Sequence, residues 1–212
     1  MDRSAALMTR RHALLLGAAT LLLGAAIVSA PQCVHAQGAP AGTVDTLRGS
    51  AFAEGPRPRR ALQPTAEVFV NDLLETEVDS SLTIRLGKAT LVKLGALAKL
   101  RVDKFIVDAG GTFELDQGPL LIDRDDSAKR ESLQVRSPFA LIAARGTMFF
   151  AGPSNDVFGV FVARGLVSVT GGGRTVLLRP GLGTNIAHPG DAPSEPKRWS
   201  PERIAAALRS VS

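Results

Sequence analysis

Two acidic groupings are the first places in this chain where chemistry could be carried. Glu114 and Asp116 stand two apart, which on a strand puts both carboxylates on one face. Asp123-Arg124-Asp125-Asp126 concentrates three carboxylates within four residues. A carboxylate pair can divide the acid and base roles of a hydrolysis when the groups face each other across a cleft, and an acidic run can open a calcium loop. A wet strand face accounts equally for the first pair. No further oxygen ligands recur at loop spacing after the second, so a solvated turn is the preferred reading. Of the three histidines, His12 and His35 fall near the N-terminus and His188 stands in a Pro/Gly-rich stretch. Neither a Ser-His-Asp triad nor a His/Cys metal cluster can be assembled from these. No catalytic residue, no metal and no cofactor is expected, and the chain is read as a non-enzyme.

The elements available to position side chains are short strands. In Leu82-Thr83-Ile84-Arg85-Leu86 apolar and polar residues alternate, giving one buried and one wet face. Leu91–Leu94, Leu100–Val102, Phe105–Val107, Phe113–Leu115 and Leu120–Ile122 repeat the theme between Gly- and Asp-rich turns. From Leu133 to Val169 two apolar β segments flank a Gly/Pro/Ser/Asn/Asp turn at 152–156, which is a hairpin signal. Strands of about five residues at roughly ten-residue spacing predict an all-β sandwich, barrel or short solenoid. One helix follows at 199–212, after a linker at 188–198. Ser200 is a good N-cap, Pro201 suits the first helical position, and Trp199 and Ile204 can form a hydrophobic staple. Ile204, Leu208 and Val211 make one stripe. So short a helix must dock on its own β domain or on a partner, which makes Trp199, Ile204 and Leu208 candidates for partner contact.

The first 36 residues read as an export signal. Arg3, Arg10 and Arg11 precede an uncharged Leu/Ala run at 13–30, and Val34-His35-Ala36 suits cleavage before Gln37. Thr9-Arg10-Arg11 with Leu14 resembles a twin-arginine signal, while Ala13 stands where that pattern favours an aromatic; the general secretory route fits as well. A retained membrane anchor is the alternative to cleavage. Gln32 before Cys33 argues against lipidation. Cleavage would remove the single Cys, and with it any disulfide. Removing 1–36 also takes three Arg and one Asp, lowering the net charge from +5 to +3. That mild excess, with no Lys/Arg helix and no Tyr, gives no reason to expect nucleic acid. Residues 37–64 read as an early strand near Val44–Phe52 and an exposed Pro/Arg-rich linker around Gly55-Pro56-Arg57-Pro58-Arg59-Arg60. Residues 65–187 form the main β domain.

The hairpin resembles the FecR domain. Ser137-Pro138 precedes an apolar strand, and Arg145-Gly146-Thr147 leads into Phe149 and Phe150. The return strand runs Val160, Val162, Gly165, Val167, Val169. Val70-Asn71-Asp72-Leu73-Leu74-Glu75-Thr76 is similar to the turn in which that family has a Gly-Asp pair, with Asn71 in the glycine's place. Leu86-Gly87-Lys88 stands where the family has an Asp-Gly-Ser turn. Leu94-Gly95, Asp116-Gln117-Gly118 and Arg179-Pro180-Gly181 match later glycines, so the likeness covers Gly42–Ile186. Asn71, Asp72, Thr76, Pro138, Arg145, Gly146, Thr147, Gly165 and Gly181 are the motif residues, structural or partner-binding. For Arg145-Gly146-Thr147 an architectural role is preferred over ligand contact.

The resemblance implies a short-stranded β-sandwich or solenoid-like module outside the cytoplasm. FecR-like regulators sense an outer-membrane transporter and control a sigma factor through a cytoplasmic helical segment. Only about a dozen residues precede the apolar run here, so the expectation is a periplasmic or secreted, non-catalytic module that binds another envelope protein. The alternatives are a module for envelope polysaccharide or peptidoglycan, marked by an aromatic-lined groove, and a carboxylate-dependent hydrolase. Membrane contact is expected only if the N-terminal segment is retained.

Overall fold

The computed structural model describes residues 39–106, 110–125 and 133–212. The segment 1–36 that reads as an export signal, with Cys33, lies outside them, as do Val107 and Asp126. Among the described residues no helix is long and apolar enough to cross a membrane.

The described residues are all-β with one short helix. The strands are β1 (Pro40–Arg48), β2 (Ala51–Glu54), β3 (Arg60–Ala61), β4 (Glu67–Phe69), β5 (Leu73–Thr76), β6 (Ser81–Leu86), β7 (Thr90–Leu94) and β8 (Lys99–Ile106). They continue as β9 (Gly110–Gln117), β10 (Leu120–Arg124), β11 (Leu133–Arg136), β12 (Leu141–Ser154), β13 (Val157–Gly171), β14 (Arg174–Leu178), β15 (Leu182–Ile186) and β16 (Lys197–Arg198). Helix α1 spans Pro201–Arg209. The hydrogen-bonded order is β3-β2-β5-β8-β9-β11-β12-β10-β7-β6-β1-β4, with β13 on the other side of β12 and β14, β15 and β16 beyond it. All pairs are antiparallel except β9 with β11.

This sheet curls over its main core because β12 and β13 are long and bent. The first half of β12 pairs with β11 and its second half with β10. Likewise β13 pairs with β15 near its start and with β14 near its end. Between the halves the register slips: Arg145 faces Leu166, but Met148 faces Arg164 and Phe149 faces Val162. The bulge changes which parity of residue points inward. Ile142 and Ala144 are buried before it, Thr147, Phe149 and Ala151 after it. Gly146 at φ +54° and Gly165 at φ +84° make the corner. A Cβ on Gly165 would lie 2.4 Å from the Gly146 carbonyl oxygen and 2.5 Å from Thr147 Cγ2. Gly165→Ala therefore combines backbone strain with a clash against backbone, and is expected to cost roughly 2–4 kcal/mol in urea unfolding. A loss under about 1 kcal/mol would show that the corner relaxes freely.

Local pattern explains the strands. Leu82, Ile84 and Leu86 of β6 point into the core and Thr83 and Arg85 point away, as period two requires. Leu120-Leu121-Ile122 and Phe158–Val162 are instead buried continuously, because α1 covers their outer face. The hairpin turn is Asn155-Asp156, both at positive φ (+56° and +61°), a two-residue connection suited to strand twist. Leu100–Val102 and the segment after Phe105, which read as two strands, form the single β8, bulged between Arg101 and Lys104.

Residues 55–60, expected as an exposed linker, join β2 to β3 in an edge hairpin that pairs Phe52 with Ala61. Its arginines hold it. The Arg57 guanidinium lies 3.8 Å from the Phe69 ring centroid and that of Arg59 lies 4.5 Å from Phe52, while Arg60 ion-pairs with Asp72.

Candidate functional site

The motif residues fall at separate places in the sheet. Asn71 takes φ +70° and starts a tight turn. Asp72 is completely buried there; its carboxylate accepts from the Phe69 amide at 2.8 Å and from both terminal nitrogens of Arg60. Thr76 ties the loop between β7 and β8, donating from Oγ1 to the Gly95 carbonyl at 2.6 Å and accepting from the Ala98 amide at 2.9 Å. Pro138 is exposed in a turn closed by Ser137, whose Oγ accepts from the Phe139 and Ala140 amides. Gly146, Thr147 and Gly165 make the corner, and Gly181 at φ +83° leads into β15. Of the set, Arg145 stands out: its side chain is exposed, and among the described residues it makes no hydrogen bond or ion pair.

Arg145 belongs to a face that sequence reading did not single out. Where β11, β12, β13 and β14 lie side by side, Leu141, Leu166 and Leu177 point away from the core and are 40%, 47% and 59% exposed. Register places Leu166 opposite Arg145, and Leu177 opposite Ser168, which in turn faces Ala143. The three leucines lie on this face among Ala143, Ser168, Thr170 and Thr175, and the four strand segments that carry it (133–136, 141–145, 166–170 and 174–178) contain no acidic residue. At its rim β14 is hydrogen-bonded on one side only, to β13. The one sequence signal was Leu177 itself, an apolar residue out of phase with Val176 and Leu178.

The C-terminal candidates are engaged within the chain. Trp199, 7% exposed, stacks on Phe161 at 5.3 Å between centroids and meets Phe150 edge-on at 6.3 Å. Arg203 lies 3.7 Å above its ring while donating to Ser154 and Asn185. A Cβ on Gly183 would stand 2.2 Å from Trp199 Nε1, so bare glycine backbone makes the indole's seat. Ile204 and Leu208 pack beside Leu121, Phe150 and Phe161 in the same outer cluster. Ser200 caps the helix, accepting from the Arg203 amide at 3.3 Å.

The acidic groupings are spent on ion pairs or spread apart. Glu114 pairs with Arg101 at 3.7 Å and Asp123 with Arg164 at 2.8 Å. Asp116 is exposed two residues beyond Glu114 on the same strand, so these two carboxylates do not face each other across a cleft. His188 is exposed and contacts only Asp191 among the described residues. Among the described residues no group of three or more His, Cys, Asp or Glu is placed to hold a metal.

Glu75 on β5 carries an acid-sensitive pair of ion contacts. Hydrogen bonds from Lys99 and then Arg59 hold its carboxyl below the usual 4.5. A lowered folded-state value stabilises the fold at pH above about 4.5, and the contribution fades as pH falls through the lowered value. Glu75→Gln should therefore be less stable than wild type at pH 7 by a fraction of what a buried pair gives, with the two converging in strong acid. Parallel curves of stability against pH would remove Glu75 from the account.

Residues 72–168 match the model of the FecR protein family. No curated protein matches the chain. Two crystal structures of a candidate anti-sigma factor from Parabacteroides distasonis ATCC 8503, at 1.65 and 2.50 Å resolution, superpose with a TM-score of 0.53 at 18% identity. Each superposition covers 64% of this chain and 64% or 63% of that one, a likeness of fold.

Proposed function

We infer, from the match of residues 72–168 to the FecR family model, that the protein is a non-catalytic envelope module, periplasmic or secreted, that works by binding another protein. The observation that carries the reading is the exposed face of Leu141, Leu166 and Leu177 beside Arg145 and the open edge of β14. An extended segment of the partner adds to that edge through backbone hydrogen bonds, its apolar residues cover the leucines, and its acidic residues meet Arg145. The descriptions of the P. distasonis structures as anti-sigma factors support a regulatory, protein-binding role. The export signal read from 1–36 supports the compartment.

The test is site-specific photo-crosslinking in intact cells, with a benzophenone side chain at Leu166, at Leu177 and, as a control, at Val78, an exposed apolar residue outside the face. One adduct of defined mass is expected from the first two positions and not from Val78, and Arg145→Glu is expected to abolish it. Equal capture from all three positions, or none while the protein sediments with purified cell wall, would overturn the reading in favour of non-specific adhesion or glycan binding.

A further inference from the structure

One cleft differs in chemistry from the rest of this basic chain. It encloses about 400 Å³ beside the hairpin tip, between the turn joining β9 to β10, Phe139, Pro153, the segment Asp156–Phe158 and Ala187. Phe139 and Phe158 stack within it, 4.6 Å between centroids and 5° from parallel. Phe158 is buried, and half-buried Phe139 presents ring surface to the opening. The only charged residues in the lining are Asp116 and Asp156. Both are exposed, and among the described residues neither makes an ion pair or a side-chain hydrogen bond.

Asp156 occupies the second position of the two-residue turn at φ +61°, a left-handed conformation that glycine takes most readily and that Asp tolerates. The turn sets its carboxylate on the rim of the aromatic cleft.

We propose that this cleft binds a small organic cation with an apolar body, the ammonium lying between Asp116 and Asp156 and the body packing on the Phe139–Phe158 stack. A cation gains from both carboxylates and from the ring face. An anion meets only repulsion. A neutral sugar can pack on the ring and donate hydroxyls to the carboxylates, but it gains no charge attraction, and the one side-chain donor of the lining, Gln117 Nε2, already gives one of its two hydrogens to the Leu97 carbonyl at 2.9 Å. The cleft's volume suits a small molecule.

The experiment titrates the full chain with phenethylammonium, 2-phenylethanol and N,N′,N″,N‴-tetraacetylchitotetraose, following the backbone amides of Val157, Phe158 and Gln117 by NMR. Phenethylammonium is expected to shift these amides saturably and bind at least tenfold tighter than the alcohol, a preference that weakens with salt. Asp116→Asn with Asp156→Gly is expected to erase the preference while leaving the fold intact, since glycine relieves the turn. Equal affinity for amine and alcohol, an unchanged preference in the double variant, or tighter binding of the chitotetraose would each overturn the proposal. None of these outcomes bears on the leucine face, whose crosslinking is read separately.

Discussion

Trp199→Ala is expected to be the most damaging single change in the C-terminal segment, lowering stability by about 4 kcal/mol and the melting temperature by roughly 10 °C. The indole is 7% exposed and contacts Phe161, Phe150, Arg203 and the backbone at Gly159 and Gly183 at once. Truncation leaves a cavity roofed by α1, and a helix of nine residues does not stand without its docking face. The outer surfaces of Phe150, Phe161 and Leu121 would then meet water, so the variant should bind a hydrophobic dye that wild type ignores. Thermal and urea unfolding followed by circular dichroism check the magnitude. A loss below about 1.5 kcal/mol would mean that α1 seats without its anchor.

Asp72→Ala is expected to cost about 3 kcal/mol, through polar groups rather than a cavity. The carboxylate has no exposed surface, and its removal strands the Phe69 amide and leaves the Arg60 guanidinium only the Glu67 carbonyl and the Phe69 ring. Arg60 would lose its anchor and the hairpin of β2 and β3 its tie to the turn before β5. Asp72→Asn keeps an acceptor for Phe69 and should cost about half as much. If both variants unfold within 1 kcal/mol of wild type, the pair is incidental to the fold. Local opening at residues 51–61, read by hydrogen exchange, should accompany the loss in the alanine variant.

Much of the architecture was legible because it depends on short-range rules. The alternation of 82–86 and the cap of Ser200 with Pro201 each specify an element from a few residues, and the turn residues at 152–156 mark the hairpin, although only Asn155-Asp156 form its turn and 152–154 extend β12. The all-β class follows from their repetition. What escaped depends on contacts distant in sequence. Residues 55–60 look like a linker because Pro and Arg dominate, and only the positions of Phe52, Phe69 and Asp72 turn those arginines into fastenings. The corner at Gly146 and Gly165 was visible as glycines but not as the point where two strands change neighbours. The exposure of Leu166 cannot be read from a strand pattern, since a leucine on a sheet looks the same whether or not a helix covers it, and Leu177 shows only as an apolar residue out of phase with Val176 and Leu178. On this sheet one outer face is covered by α1 and another is left bare.

The seat of Trp199 has a practical consequence for how this molecule is observed. It is the only tryptophan in the chain and there is no tyrosine, so ultraviolet emission excited at long wavelength comes from this single ring. The ring lies in the outer cluster with α1, on the opposite side of the sheet from the main core. Emission will therefore report the lifting of the C-terminal segment, while far-ultraviolet dichroism reports the strands. Where the two signals change at different denaturant concentrations, the gap between them measures the free energy with which the segment is clasped.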